Sequence, residues 1–205
     1  MRFGFNKFVA AGVAAVAMVA GVARAEAPDA STPKKAAVAF TKAVVAGDMA
    51  TVKSLSTGTD AEYALVKTLS EMLAATKRLE TAAARKFGDA GKLPAEASVD
   101  VVADMEAATE KLDGETARMI TKNKTEDMNP MTLKKDGSSW KVDLSTLSKD
   151  PEAAAVAMMA PSMVKAMDAV TKNIEAGKYK DITEAMTDVA TQMAAGAGLG
   201  ALDGK

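Results

Sequence analysis

The chain contains neither cysteine nor histidine, and only 4% of its 205 residues are aromatic. Without cysteine it forms no disulfide and carries no lipid on an N-terminal cysteine, so the core alone must hold the fold together. Without histidine it lacks the commonest general base near neutral pH and the commonest metal ligand. These absences exclude zinc sites built on cysteine or histidine, as well as Ser-His-Asp triads and Cys-His pairs.

Residues 1–25 have the pattern of a secretory signal peptide. Arg2 and Lys7 give a basic start, residues 8–22 form an unbroken apolar run, and residues 23–25 (Ala-Arg-Ala) place small side chains where a signal peptidase reads them. The run is shorter than the about 20 residues that span a bilayer. We therefore predict cleavage after residue 25, with residue 27 as an alternative. The protein is then periplasmic or secreted, with no integral membrane segment in the mature chain.

Removing the signal also removes three of the 26 basic residues and none of the 27 acidic ones, which leaves a net charge of −4. Nucleic-acid binding needs a concentrated basic face, and docking on anionic lipid needs a basic cluster as well. A mildly acidic, mixed surface offers neither. We predict no nucleic-acid partner.

Three helices are predicted in the first half of the mature chain. Pro33 begins the first, with Thr32 as its cap, and Gly47 ends it. A second, short helix follows over residues 49–55. The third and longest runs from residue 60 to about residue 87, because apolar side chains recur along it at helical spacing.

A β-hairpin is predicted over residues 131–145. Trp140 and Val142 alternate with polar residues, and Asp-Gly at 136–137 is a strong signal for a tight turn between two strands. This alternation predicts that Trp140 is buried in a mixed helix–sheet core. Upstream, residues 116–121 are a candidate third strand, and residues 95–112 fit either a helix or the beginning of a strand.

Helices resume at Pro151. Pro161 should end or kink the first of them, because proline has no N–H and its ring clashes with the preceding turn. A further helix is then predicted up to Ala176, and a last one begins after Asp181.

Together these patterns predict a predominantly helical α+β fold, in which helices pack on a small antiparallel sheet of two to three strands and extra helices follow at the C-terminus. We assign residues 26–32 to a leader, 33–195 to a single domain and 196–205 to a flexible tail. Residues 41–52 and 171–182 share the order helix, glycine cap, turn, helix. They are either a duplication or two uses of the same cap chemistry.

Two segments resemble nuclear transport factor 2-like domains. Residues 36–55 have the apolar positions and the Ala-Gly-Asp turn of the family's opening helices, and residues 136–142 (DGSSWKV) are similar to a turn and strand near the end of many secreted members. The resemblance covers residues 33–57 and 115–145. It implies an α+β cone in which a curved sheet wraps helices around a pocket, and it maps no catalytic residues onto this chain.

Methionine is the one soft metal ligand that the sequence offers. Thioethers bind Cu(I) in exported proteins, and a cluster of four methionines falls within one predicted helical region. Pro161 should divide this cluster, and methionine is commonly an adaptable core residue. We predict no metal and no cofactor, and a Met-lined Cu(I) carrier remains an alternative. The methionines are Met158, Met159, Met163 and Met167, with Met128 and Met131 nearer the hairpin.

Acidic residues could serve acid–base catalysis only if burial or a like charge raised a carboxyl pKa. Their spacing indicates solvated helix faces instead, so no catalytic residue is assigned. An enzyme using carboxylates with Tyr63 or Tyr179 is the alternative. The acidic groups are Asp100, Asp104 and Glu106, followed by Glu126 and Asp127.

The sequence thus predicts an exported, non-catalytic binding or interaction protein whose partner is a small apolar molecule or a protein. The partner would occupy a groove between the helices and the sheet. Two convergent buried carboxylates in such a groove would favour the enzyme, converging methionine sulfurs would favour copper, and an apolar groove with neither would favour binding.

Overall fold

The computed structural model describes residues 28–92, 100–122, 130–149 and 151–196, and the predicted signal peptide and C-terminal tail lie outside them, save for residue 196. The described chain is α+β and mainly helical. In order, its elements are α1 (Pro33–Ala46), α2 (Met49–Ser54), β1 (Ser56–Thr57), α3 (Asp60–Phe87), α4 (Val101–Glu106), β2 (Thr109–Asp113), β3 (Thr116–Ile120), β4 (Met131–Asp136), β5 (Ser139–Asp143), α5 (Pro151–Glu175) and α6 (Ile182–Gly196).

The capping residues place the ends of the first helices, which confirms the predicted α1 and α3. The Thr32 hydroxyl accepts a hydrogen bond from the first turn of α1, and Gly47 ends that helix in a left-handed conformation, with φ of 72°. At the start of α3, the backbone N–H of Glu62 donates to the Thr59 hydroxyl. The backbone N–H of Thr59 donates back to the Glu62 carboxylate at 2.7 Å. This reciprocal pair fixes the first turn of the longest helix.

The sheet has five strands in the order β1-β5-β4-β3-β2, so the predicted small antiparallel sheet of two to three strands is wrong. β1 is parallel to β5 and the other pairs are antiparallel. The sequence gives no signal for β1, which has two residues. It gives none for β2 either, because all five of its residues are exposed and no alternation marks a buried face. Residues 100–112 contain both α4 and most of β2.

The β4–β5 hairpin is confirmed, and Trp140 is 7% exposed in the first of two hydrophobic cores. Val142, Leu133 and Ala117 pair across three neighbouring strands and point to the same face of the sheet. The helix α1 packs against this face. The first core therefore lies between the sheet, α1, α4 and the first half of α3.

Helix α5 continues through Pro161, so of the predicted end or kink at this residue the end is wrong. The proline is on the exposed side of the helix, where its ring meets solvent rather than a neighbouring element. An internal proline costs roughly 3 kcal/mol. The long contact of α5 with α3 and α6 outweighs this local penalty.

Helix α5 runs parallel to α3, and α6 turns back along α5. The Thr76 hydroxyl lies 3.6 Å from the Met167 sulfur and the Arg78 guanidinium 2.7 Å from Asp168, so contacts advance in the same direction on both helices. A second core fills the space between the last half of α3, the last half of α5, and α6. Its buried members are Leu79, Ala82, Ala83, Val170, Ile174, Ala185 and Val189.

The first helices of the two similar segments, residues 41–52 and 171–182, end in the same way. Gly47 and Gly177 have φ of 72° and 70°, and each donates its backbone N–H to the carbonyl three residues earlier. Cap chemistry alone accounts for this likeness.

By length and hydropathy alone, the segment Ala153–Glu175 could cross a bilayer. In the fold, 17% of its most apolar stretch is buried. In the fold, the last half of this segment contributes Ala166, Val170 and Ile174 to buried positions. Its first half is largely exposed, with Met158 at 84%.

Candidate functional site

A cavity of about 350 Å³ lies between α1, α3, α4 and the inner face of the sheet. It is lined mainly by aliphatic and methionine side chains. From the helices these are Phe40, Thr41, Val44, Val45, Val66, Leu69, Met72, Leu73, Val101 and Met105. From the sheet and its connections they are Met119, Thr121, Pro130, Met131, Val142, Asp143, Leu144, Thr146 and Leu147.

Helical and strand periodicity explain why these side chains meet. Phe40 and Val44 are one turn apart on α1, and Leu69 and Leu73 are one turn apart on α3, so each pair lies on the inner side of its helix. Met119 and Met131 are cross-strand partners in β3 and β4. Val44, Leu69 and Leu73 are only partly buried, because this part of each apolar stripe borders the cavity instead of another side chain.

The polar groups of the lining are few. The Thr41 hydroxyl donates to the Ala37 carbonyl at 2.9 Å, and the Thr146 hydroxyl donates to the Asp143 carbonyl at 3.0 Å. Asp143 is the one charged residue among the described lining residues. Its side chain follows Val142 in β5 and so points to the opposite face of the sheet, where it pairs with Lys134 at 2.7 Å.

Two acidic side chains are buried in the described chain, Glu62 and Asp143. Hydrogen bonds from the Thr59 backbone N–H and from the Ser148 hydroxyl lower the pKa of Glu62. Burial raises the pKa of Asp143, but hydrogen bonds from Lys134 and Ser145 outweigh it and the net pKa is lowered. Both carboxylates are therefore ionised at neutral pH and occupied by internal donors. Neither has the raised pKa that a general acid needs.

These two carboxylates predict acid sensitivity. Because both pKa values are lower in the folded chain than in the unfolded chain, their stabilisation is complete above the ordinary carboxyl pKa of about 4. It is lost as the pH falls through the folded values. We expect the urea midpoint to fall steeply below about pH 4. Glu62→Gln should flatten that dependence. The matched exposed variant Glu106→Gln should leave it steep, and equal curves for all three proteins would contradict this assignment.

The two tyrosines do not line the cavity. The Tyr63 hydroxyl donates to the Ser56 carbonyl at 3.2 Å. The Tyr179 hydroxyl donates to Asp188 and accepts from Asn173, which ties the α5–α6 turn to α6. Burial, and then the bond to Asp188, raises the pKa of Tyr179, so its proton is held more firmly than usual. The structure does not bring either tyrosine to the apolar cavity.

Other charged side chains, among them two of the acidic candidates, are engaged in helix capping or in ion pairs. Asp100 caps α4 by accepting the backbone N–H groups of its first turn, at 3.2 and 3.0 Å. Glu106 pairs with Lys42 at 2.9 Å, and Lys141 pairs with Asp136 at 2.7 Å. Residues 126–128 lie outside the described chain.

The methionine cluster lies on one continuous helix, since Pro161 does not divide it. Met159, Met163 and Met167 lie on successive turns of α5. The Met167 sulfur is 3.6 Å from the Thr76 hydroxyl. Within the described residues no group of three acidic side chains is placed to hold a metal ion. The copper alternative stays a hypothesis that rests on thioethers alone.

Comparison with known proteins identifies no relative, since no protein-family model, curated protein or solved structure matches the chain. What the cavity binds must therefore be inferred from its own lining residues. Sequence reasoning missed the roles of Thr121, Thr146 and the α4 side chains in the lining, because only their position in space, and no local motif, brings them there.

Proposed function

We propose that this chain is an exported, non-catalytic binding protein that holds a small apolar molecule in the cavity between α1, α3 and the sheet. The observation that carries this proposal is the apolar lining itself, which surrounds about 350 Å³ of space. Ligand sites in proteins are typically concave, mostly apolar and furnished with few polar groups.

The ionised, internally bonded states of Glu62 and Asp143 support binding over catalysis. An acid–base enzyme would need at least one carboxyl group poised to exchange a proton near neutral pH. Both buried acids are instead held in their charged form by neighbouring donors. The proposal includes the absence of catalytic residues, cofactor and metal.

The resemblance to nuclear transport factor 2-like domains is part of the proposal. The two segments that carry it, residues 33–57 and 115–145, supply α1, β3, β4 and β5, and these elements border the cavity. A helix set against a sheet with a pocket between them is the arrangement that the resemblance implies.

Cavity filling tests the proposal. The mature protein should bind N-phenylnaphthylamine, a neutral fluorescent probe, and Val44→Phe should weaken this binding by about tenfold or more because the larger ring occupies the ligand's space. Val164→Phe is the matched control, since Val164 is partly buried on α5 and does not line the cavity. Equal loss in both variants, or no probe binding by the folded wild type, would contradict the proposed site.

Export has its own test. The proposed signal peptide predicts that protein recovered from outside the cytoplasm begins at Glu26 or, with the alternative cleavage, at Pro28. Intact-mass analysis distinguishes these from the full chain. Exported protein that still carries Met1 would contradict the assignment.

A further inference from the structure

We infer that the ligand of this cavity is a single uncharged apolar molecule that carries a hydroxyl group, such as a medium-chain alcohol or an apolar phenol. This inference rests on the proposed binding function. It concerns which chemistry the cavity accepts, and three properties of the lining carry it: its charge, the direction of its hydroxyl protons and its size.

Among the residues that the structure describes, the lining offers no cation to an anionic ligand. The described side chains that face the cavity are aliphatic, aromatic, methionine, proline or threonine, and the Asp143 carboxylate points to the other face of the sheet. Lys134, the cation nearest to that carboxylate, is engaged with it at 2.7 Å. A carboxylate brought into the cavity would be a buried charge without a partner, which is strongly unfavourable. A fatty acid anion therefore fits poorly.

The hydroxyl groups of the lining act mainly as acceptors. Thr41 and Thr146 have already donated their protons to backbone carbonyls, at 2.9 and 3.0 Å, so each hydroxyl can offer a ligand only its lone pairs. Thr121 makes no hydrogen bond with other described residues, and its hydroxyl is able to donate or accept. An alcohol can give a proton to Thr41 or Thr146 and also accept one from Thr121. An ether, an ester or a ketone can only accept.

The volume limits the ligand to one small molecule. Protein ligand sites range from about 300 to 1,000 Å³, and this cavity is near the lower end of that range. A two-chain phospholipid exceeds it. A single chain or a small ring system is the class that fits.

Three compounds of nearly equal size separate these features. Decanol and methyl nonyl ether are isomers that differ only in the ability to donate a hydrogen bond, and decanoate adds a charge. Displacement of N-phenylnaphthylamine from the mature protein at neutral pH should rank decanol first. We expect the ether to bind about five- to tenfold more weakly than decanol, and decanoate more weakly still.

Threonine variants identify the acceptor. Thr41→Val keeps the side-chain shape and removes the hydroxyl, so decanol affinity should fall to that of the ether while ether affinity is unchanged. Thr41→Ser should retain the preference for decanol. Thr146→Val provides the same measurement at the second acceptor and covers the case in which the Thr41 variant does not fold.

The outcomes are distinguishable. If neither the neutral probe nor any of the three compounds binds, the proposed function itself fails. If the probe and the ether bind as tightly as decanol, the site stands and the hydroxyl preference is overturned. Decanoate binding as tight as that of decanol would overturn the uncharged class. A preference for decanol that survives both Thr→Val changes would overturn the assignment of the acceptors.

Discussion

Trp140→Ala is expected to lower the free energy of unfolding by about 3–5 kcal/mol. The indole is 7% exposed in the first core, on the sheet face that packs against α1. Its loss leaves a void that the paired strands and the helix cannot readily close. Urea unfolding followed by circular dichroism measures the effect, because the variant has no other tryptophan to report on.

Trp140→Phe is the matched control, since phenylalanine retains an aromatic ring at the same position. It should cost clearly less than the alanine variant. In the wild type, tryptophan emission should be shifted to shorter wavelengths and should move to the water-like maximum on unfolding. A cost below about 1 kcal/mol for Trp140→Ala would contradict the burial on which this prediction rests.

Ile174→Ala is expected to cost about 2–5 kcal/mol. Ile174 is fully buried in the second core, where α5 meets α3 and α6. The effect should reach the first core as well, because α3 contributes Val66 to one core and Leu79 to the other. Trp140 fluorescence, which reports only on the first core, should therefore show a lower urea midpoint in this variant.

Ile182→Ala is the comparison variant, because Ile182 packs only partly against the second core and should cost less. Coincident transitions by fluorescence and circular dichroism would support one cooperative unit over residues 33–195. A fluorescence midpoint that stays at the wild-type value while the helical signal shifts would mean that the two cores unfold separately. The single-domain assignment would then be wrong.

Helices α1 and α3 were predictable because their signals are local. Thr32, Gly47 and the Thr59–Glu62 capping box mark boundaries within a few residues of sequence. The strands β1 and β2 were not predictable by the same means. Ser56 becomes a strand residue only by pairing with Val142, which is far along the chain, and β2 depends on β3.

Pro161 shows a local rule overridden by packing. The residue alone predicts an end or a kink, yet α5 continues through it and packs against both α3 and α6. The cavity shows a similar limit. The apolar stripes of α1 and α3 are readable in the sequence, but whether Val44 or Leu69 meets a side chain or empty space depends on the separation of the elements. That separation is a property of the assembled fold.

The place of β2 at the end of the sheet has a consequence for behaviour at high concentration. In the described part of the chain β2 pairs with β3 alone, so it forms an edge of the sheet, the place where a strand from another molecule would pair. Leu112, 61% exposed, would favour such pairing. Glu110 opposes it, because this residue is the cross-strand partner of the buried Met119 and carries a charge next to that apolar side chain. Any molecule that extended the sheet here would have to desolvate that carboxylate, so Glu110 disfavours edge-to-edge aggregation.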